Sequence, residues 1–130
     1  MADTAEILRK YRTIAVVGLS NNPMRPSYGV SEYMKRQGYR IIPVNPGHAQ
    51  ILGEKSYRTL EDIPEPVEIV NVFRRSELIP PVADSAIAIG AKVLWLQEGI
   101  HNEEAAEKAR AAGLEVVMNT CILKAHSRFL

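Results

Sequence analysis

The sequence predicts an α/β fold: a Rossmann-like, doubly wound domain whose five-stranded, mainly parallel sheet has helices on both faces. Short apolar runs alternate with amphipathic helical patterns along most of the chain, as in parallel strands joined by crossover helices. The apolar runs are unbroken, which is typical of strands covered on both faces. Right-handed crossovers and two helix layers favour strand order 3-2-1-4-5, counting the predicted strands along the chain.

The strands are predicted from apolar runs that end at glycine, proline or polar residues. In chain order they are IAVVG at 14–18, YRIIPV at 39–44, VEIVNVF at 67–73, AKVLWLQ at 91–97 and LEVVMN at 114–119. Residues 48–66 are the least regular part, and one turn of helix is expected from Thr59.

The helices are predicted from apolar stripes of helical period and from capping residues. In chain order they are 3–12, 26–37, a helix that starts near Pro80 and Pro81 and ends near 89, the segment HNEEAAEKARAAG at 101–113, and 121–129. Asp3 can cap the first helix, as in a capping box. The fourth has the clearest signals, because Asn102 can cap its start and Gly113 can end it.

Composition narrows the class of protein. A chain of 130 residues without a linker or repeat is expected to form one domain, 1–130. No apolar run is long enough to span a membrane, and the first residues lack the features of a secretory signal. A single cysteine favours a reducing cytoplasm. The net charge of +1, without a basic block, gives no case for nucleic acid.

The predicted topology places a ligand beyond the carboxyl ends of the strands, at the switch between the first and fourth strands. The first strand ends at Gly18, and a polar loop leads to the helix that begins near Pro26. Free N–H groups and the dipole make a helix N-terminus an anion site. Ser20, Ser27 and Arg25 can add hydroxyl donors and a positive charge. The alternative is that Gly18 only makes a turn and Ser27 only caps a helix.

The end of the second strand discriminates between nucleotide ligands. An NAD site has Asp or Glu there to bind the ribose diol, but Asn45-Pro46 stand at this place and Glu54 is the first carboxylate after them. The G-x-G-x-x-G fingerprint is also absent after the first strand. A small NAD(P)-dependent oxidoreductase therefore fits poorly and stays as an alternative. A ligand with a phosphorylated ribose fits better, because a carboxylate would repel it.

Several segments together resemble one known family. They are VVGLS, GYRIIPVNPGHAQILGEKSYRTLEDIP, VEIVNVFRRSELIP, IGAKVLWLQEGIHNEEA and AGLEVVMNTCI. In this order and spacing they resemble the small CoA-binding protein family, stand-alone relatives of the CoA-binding domain of the succinyl-CoA synthetase α-subunit. The resemblance runs from about residue 12 to 128. It implies a Rossmann-like fold that binds coenzyme A at the carboxyl ends of the strands.

The resemblance also implies positions for the parts of the ligand. The pyrophosphate would bind Gly18, Ser20 and the loop to Ser27, with Arg25 as the basic residue that the family often has in this loop. Asn45 and Pro46 would lie by the adenosine end. Val72, Phe73 and Arg74 would line the nucleotide and pantetheine path, and Gln97 and Gly99 the pantetheine side. Arg74 is expected to contact a phosphate because a guanidinium matches phosphate bidentately, whereas Arg75 is expected at the surface.

No catalytic or metal-ligating residue is expected. The three histidines, His48, His101 and His126, are well separated, and none has ligand spacing with Cys121. The phosphohistidine of the succinyl-CoA synthetases belongs to a later domain. Cys121 lies near a helix start, so a mixed disulfide with CoA is one interpretation and a small buried residue is the other. The sequence thus predicts a non-catalytic CoA-binding module, with a regulatory interaction subunit whose nucleotide site has decayed as a further alternative.

Overall fold

A five-stranded parallel sheet forms the centre of the computed structural model, which describes residues 2–130. The strands of this sheet are β1 (Thr13–Val17), β2 (Arg40–Val44), β5 (Ile69–Val72), β6 (Val93–Leu96) and β7 (Glu115–Val117). A short antiparallel hairpin comprises β3 (Gln50–Ile51) and β4 (Glu54–Lys55). Each predicted strand is present within about two residues of its expected bounds, and the Rossmann-like fold class is confirmed. The hairpin was not predicted.

The helices also follow the sequence pattern. They are α1 (Thr4–Lys10), α2 (Pro26–Arg36), α3 (Ile79–Ala88), α4 (Glu103–Ala111) and α5 (Ile122–Phe129), with 3-10 turns at Leu60–Asp62 and Ser76–Leu78. Asp3 accepts a hydrogen bond from the Glu6 N–H at 3.2 Å, and Asn102 accepts one from the Ala105 N–H at 2.9 Å. The two predicted N-caps are therefore confirmed.

The strand order differs from the prediction. The sheet has the order β2-β1-β5-β6-β7, which is 2-1-3-4-5 when its strands are counted along the chain. The expected order, 3-2-1-4-5, was wrong because the outer edge of β2 is occupied by its own following connection. There the Tyr57 N–H donates to the Pro43 carbonyl at 3.0 Å, and the Asn45 N–H donates to the Tyr57 carbonyl at 2.9 Å. The third strand of the sheet, β5, therefore pairs with the other edge of β1.

The path of the connection from β2 to β5 explains how the chain reaches that edge. This connection has a hairpin and the 3-10 turn Leu60–Asp62 in place of a crossover helix. Leu60 is buried in the same apolar cluster as α3 and α4, so the connection crosses β1 on that face of the sheet. For this strand order the topological switch point lies between β1 and β5, and not between the first and fourth strands as expected.

Two apolar clusters hold the helices against opposite faces of the sheet. Leu94 packs with Ala83 and other residues under α3 and α4, whereas Trp95 packs with Met34 and Ile122 under α1, α2 and α5. Adjacent strand residues point to opposite faces, and Leu94 and Trp95 are both fully buried. The unbroken apolar strands thus reflect burial on both sides, and the strand ends at the sheet's carboxyl edge are fixed by these two cores.

Candidate functional site

A cleft of about 700 Å³ opens at the carboxyl ends of β1, β2, β5 and β6. It lies over the switch point between β1 and β5. The structure brings together at this cleft most of the predicted site residues: Gly18, Ser20, Arg25, Ser27, Asn45, Phe73, Arg74 and Gly99. Three others, Pro46, Val72 and Gln97, are not part of the lining.

Gly18 sets the geometry of the switch point. Its φ is +84°, and a Cβ at this position would lie 2.5 Å from the Phe73 carbonyl oxygen. Only glycine combines this conformation with such a close backbone approach. The Gly18 N–H donates to the Val44 carbonyl at 3.0 Å, and the Phe73 N–H donates to the Val17 carbonyl at 2.9 Å. The ends of β2, β1 and β5 are therefore held together where the first loop leaves the sheet.

The loop from Gly18 to α2 is organised by its own hydrogen bonds. The hydroxyl of Ser27, which is buried, accepts the Ser20 N–H at 2.9 Å. The Ser20 hydroxyl accepts the Asn22 N–H at 3.0 Å, and the Asn22 carbonyl accepts the Arg25 N–H at 3.0 Å. A hydroxyl that accepts a hydrogen bond still has its own proton to donate. Ser20 and Ser27 therefore both shape the loop and retain a donor.

The N-terminus of α2 faces this loop. Arg25 is the N-cap residue and Pro26 opens the helix, and no side chain caps the first turn. The first N–H groups of a helix have no partner inside the helix, and together with the dipole they favour an anion. The helix has 11 residues, which is long enough to carry a developed dipole. The start of α2 thus has free N–H groups of the kind that an anion site needs, and the site itself stays a prediction.

The charges around the cleft leave a positive balance. Its acidic residues have cationic partners: Glu77 pairs with Arg75 at 3.2 Å, and Glu98 pairs with Lys124 at 2.9 Å. Arg25 and Arg74, in contrast, form no ion pair within residues 2–130. Two guanidinium groups are therefore available to an anionic ligand.

Three side chains that were not predicted as site residues hold the far wall of the cleft: those of Ser76, Asn102 and Asn119. Asn119, whose φ is +51°, accepts the Gly99 N–H on its side-chain oxygen at 2.7 Å. The Ser76 hydroxyl accepts the His101 N–H at 3.0 Å, and the Ser76 carbonyl accepts the Asn102 side-chain amide at 2.9 Å. The loops after β5, β6 and β7 are thus joined to one another. Each of these loops has small polar residues after an apolar strand, and this pattern is the sequence signal that could have identified the loops as part of the site.

The three predicted residues outside the lining have other surroundings. Val72 is fully buried in the cluster under α3 and α4. Gln97 is buried, and its side-chain oxygen accepts the Ile122 N–H at 2.9 Å, which caps the start of α5. Pro46 is exposed at the turn after β2. Its neighbour Asn45 faces inward and donates its side-chain amide to the Leu19 carbonyl at 2.9 Å.

A second, smaller cavity of about 330 Å³ adjoins the cleft, and Arg74 lines both. The strand-end residues Val17 and Val44 lie at its base, and it extends between the 3-10 turn at 60–62 and the start of α3. Arg58 also lines this cavity. The sequence does not predict this cavity, because the irregular segment 48–66 supplies one of its walls.

The histidines and the cysteine lie elsewhere. His48 and His101 are exposed. His126, in α5, is buried against α2, where its Nδ1 lies 2.9 Å from the Tyr33 hydroxyl. Burial lowers the pKa of His126, and the Arg12 guanidinium lowers it further. Cys121 is half-buried at the start of α5 and lines neither cavity.

Neither a metal site nor a membrane-spanning helix is present in the part of the chain that the structure describes. No cluster of three or more His, Cys, Asp or Glu side chains within residues 2–130 could hold a metal ion. In the same part of the chain, no helix has the length and apolar character needed to cross a bilayer.

The fold and the cleft together define a Rossmann-like α/β domain with a site suited to an organic anion at its switch point. The chain belongs to the CoA-binding domain family, whose model matches residues 12–127. The resemblance inferred from the sequence is therefore confirmed.

Three similar proteins illustrate this membership. The chain is 47% identical to the uncharacterized protein YneT of Bacillus subtilis over 126 residues, which are 97% of this chain and 93% of YneT. A solved structure of a hypothetical protein from Pyrococcus horikoshii has a TM-score of 0.94 at 40% identity and covers 97% of this chain and 89% of that one. The alpha subunit of the ADP-forming acetate–CoA ligase II of Pyrococcus furiosus is 26% identical over 122 residues, covering 85% of this chain but 27% of the subunit.

Proposed function

We propose that this protein binds coenzyme A, or an acyl-CoA, in the cleft at the carboxyl ends of the sheet and does not itself catalyse a reaction. One observation carries the proposal: the guanidinium groups of Arg25 and Arg74 form no ion pair within residues 2–130, and they line the cleft together with the N-terminus of α2. No side chain in the same part of the chain caps this helix. Membership of the CoA-binding domain family supports the same ligand.

The pyrophosphate is assigned to the loop from Gly18 to Ser27. A helix N-terminus stabilises an anion by about 0.3–1 kcal/mol at an exposed site, and a hydrogen bond to a charged group contributes about 1.5–3 kcal/mol. The two serine hydroxyls and the Arg74 guanidinium add donors at the same place. A doubly charged group is therefore favoured here over a neutral one.

The two ends of the ligand are assigned by the shape of the two cavities. The adenosine end enters the second cavity, whose base is the apolar pair Val17 and Val44. The pantetheine leaves along the larger and more polar cleft, past Ser76 and Gly99. Arg74, which lines both cavities, lies where the pyrophosphate joins the two ends.

The absence of a reaction is supported by the composition of the lining. Among residues 2–130 no histidine or cysteine lines the cleft, so the usual pairs of nucleophile and base are missing. Its carboxylates, Glu77 and Glu98, are both ion-paired. The lining thus has groups that bind and orient a ligand.

Thermal unfolding with added ligand tests the proposal. Because CoA binds only the folded state, it is expected to raise the melting temperature, and at a hundredfold excess over Kd the stabilisation is about 2.7 kcal/mol. NADH and NADPH serve as control ligands, and calorimetric titration gives the affinities. No shift and no heat with millimolar CoA, or tight binding of NADPH instead, would overturn the proposal.

A further inference from the structure

The second cavity has a cationic residue that the pyrophosphate does not require. Arg58 lines this cavity, is exposed, and forms no ion pair within residues 2–130. The first cleft already has two free guanidinium groups and a helix N-terminus for the pyrophosphate. Arg58 is therefore available to bind a negatively charged group of the ligand other than its pyrophosphate.

The backbone on both sides of Arg58 is anchored. Tyr57, directly before it, is hydrogen-bonded through both its N–H and its carbonyl to the β2 segment, at 3.0 and 2.9 Å. Leu60, two residues after it, is buried in the core cluster under α3 and α4. The position of the Arg58 Cα is thus fixed relative to the cavity although it lies in an irregular segment.

Coenzyme A carries such a separate charge. Its ribose has a 3′-phosphate monoester, which dephospho-CoA lacks, and phosphate monoesters carry a charge of about −1.5 to −2 at neutral pH. With the pyrophosphate at Arg74 and the adenine over Val17 and Val44, the ribose lies between them at the cavity entrance. Glu61 also lines this cavity, and because its carboxylate repels a phosphate, Arg58 and Arg74 are the lining groups that can attract one.

We propose that Arg58 binds the 3′-phosphate of coenzyme A and makes this protein select CoA over dephospho-CoA. The inference rests on the proposed function, because it assumes that CoA occupies the cleft with its adenosine in the second cavity. A guanidinium suits this role because its N–H groups match two phosphate oxygens at once.

Calorimetric titration of CoA and of dephospho-CoA tests this selectivity. We expect the unaltered protein to bind CoA about tenfold or more tightly than dephospho-CoA, as for one charge-assisted contact. Arg58→Gln is expected to remove most of this preference by weakening CoA and not dephospho-CoA. Lys55→Gln is the matched control: it removes one positive charge from an exposed residue that lies over the Tyr57 ring and lines neither cavity, and it should keep the preference.

The titrations distinguish a failure of the role of Arg58 from a failure of the proposed function. If the unaltered protein binds CoA and dephospho-CoA equally, the role of Arg58 is overturned and the proposed function stands. If Arg58→Gln weakens both ligands alike, or changes neither, Arg58 is not a selectivity residue. If neither ligand binds, the proposed function fails together with the inference. Melting temperatures without ligand check folding, and they should be unchanged because the Arg58 side chain is exposed.

Discussion

At the scale of single residues, charge pairing separates two adjacent arginines that both line the cleft. Arg75 is exposed and paired with Glu77 at 3.2 Å, whereas Arg74 is half-buried and unpaired. Arg75 was expected at the surface and is exposed, whereas the expected contact of Arg74 with a phosphate stays a prediction. The ion pair gives a physical reason to expect the two residues to differ, because a guanidinium already neutralised by a carboxylate has less to gain from a phosphate.

We therefore expect Arg74→Ala to weaken CoA binding at least about tenfold, the loss of one charge-assisted contact. Arg75→Ala removes the same charge one residue later and is expected to change the affinity less than about threefold, since exposed pairs contribute little. Calorimetric titration of CoA into both variants measures the difference. Equal losses in the two variants would show that Arg74 acts only through the general positive charge of the cleft.

Gly18 is the residue whose identity the backbone restricts most. Gly18→Ala places a Cβ in a left-handed conformation and 2.5 Å from the Phe73 carbonyl oxygen. The conformation costs about 1–2 kcal/mol and the overlap about 1–3 kcal/mol more. Gly113→Ala is the control, because its φ is +95° but its Cβ would meet no atom within 4 Å. Urea unfolding should show a larger loss of unfolding free energy for Gly18→Ala, and equal losses would contradict the close contact.

At the scale of elements, α2 and α5 are joined by a polar contact inside an apolar layer. His126 in α5 lies 2.9 Å from the Tyr33 hydroxyl of α2, and its ring makes edge contacts with Tyr33 and Tyr39. Arg12 is the charged group that acts on this histidine. Because burial and this positive charge both disfavour the imidazolium, the neutral form of His126 stabilises the packing of α5 on the sheet.

This contact predicts a pH dependence of stability. The pKa of His126 is lowered in the folded state, so the unfolded chain binds the proton more readily below its ordinary pKa of about 6.5. The contribution is fully present above pH 6.5 and is lost as the pH falls through this value. His126→Gln, which cannot be protonated, is expected to flatten the fall in unfolding free energy between about pH 6.5 and 5. An unchanged slope in urea unfolding would contradict a buried neutral histidine.

The elements themselves could be predicted from the sequence, but the order of the strands could not. Apolar runs and caps such as Asp3 and Asn102 are local signals, and each gave an element within a few residues of its bounds. The order depends on what occupies the outer edge of β2. Tyr57 occupies that edge through two backbone hydrogen bonds. A single paired residue in an irregular segment has no apolar run around it, so the sequence pattern does not reveal this pairing.

The site could be predicted only in part, for a related reason. Residues at strand ends, such as Gly18 and Phe73, were found because the fold rule brings all carboxyl ends to one edge. The rule does not say which way a side chain turns there, and Gln97 turns inward to cap α5. Arg58 was missed since it lies between elements and reaches the site only because its neighbours are anchored.

At the scale of the whole molecule, one cleft combines groups from most of the chain. The loop after β1, the turn after β2 and the loops after β5 and β6 all contribute to its lining, and Ser76 and Asn119 join the loops of its far wall. These contacts are made within the protein itself, so they hold the loops that line the cleft in place. We therefore expect CoA to bind with small backbone changes that are confined to this edge of the sheet.

A titration of the ¹⁵N-labelled protein with CoA, followed by amide ¹H–¹⁵N spectra, locates the ligand on the chain residue by residue. We expect the largest shifts in residues 18–29, with further shifts in 72–78 and 97–101. Residues 107–111 at the C-terminal end of α4, which line neither cavity, serve as the internal reference. Shifts confined to other parts of the chain, or no shifts at millimolar CoA, would contradict a coenzyme A site at the switch point.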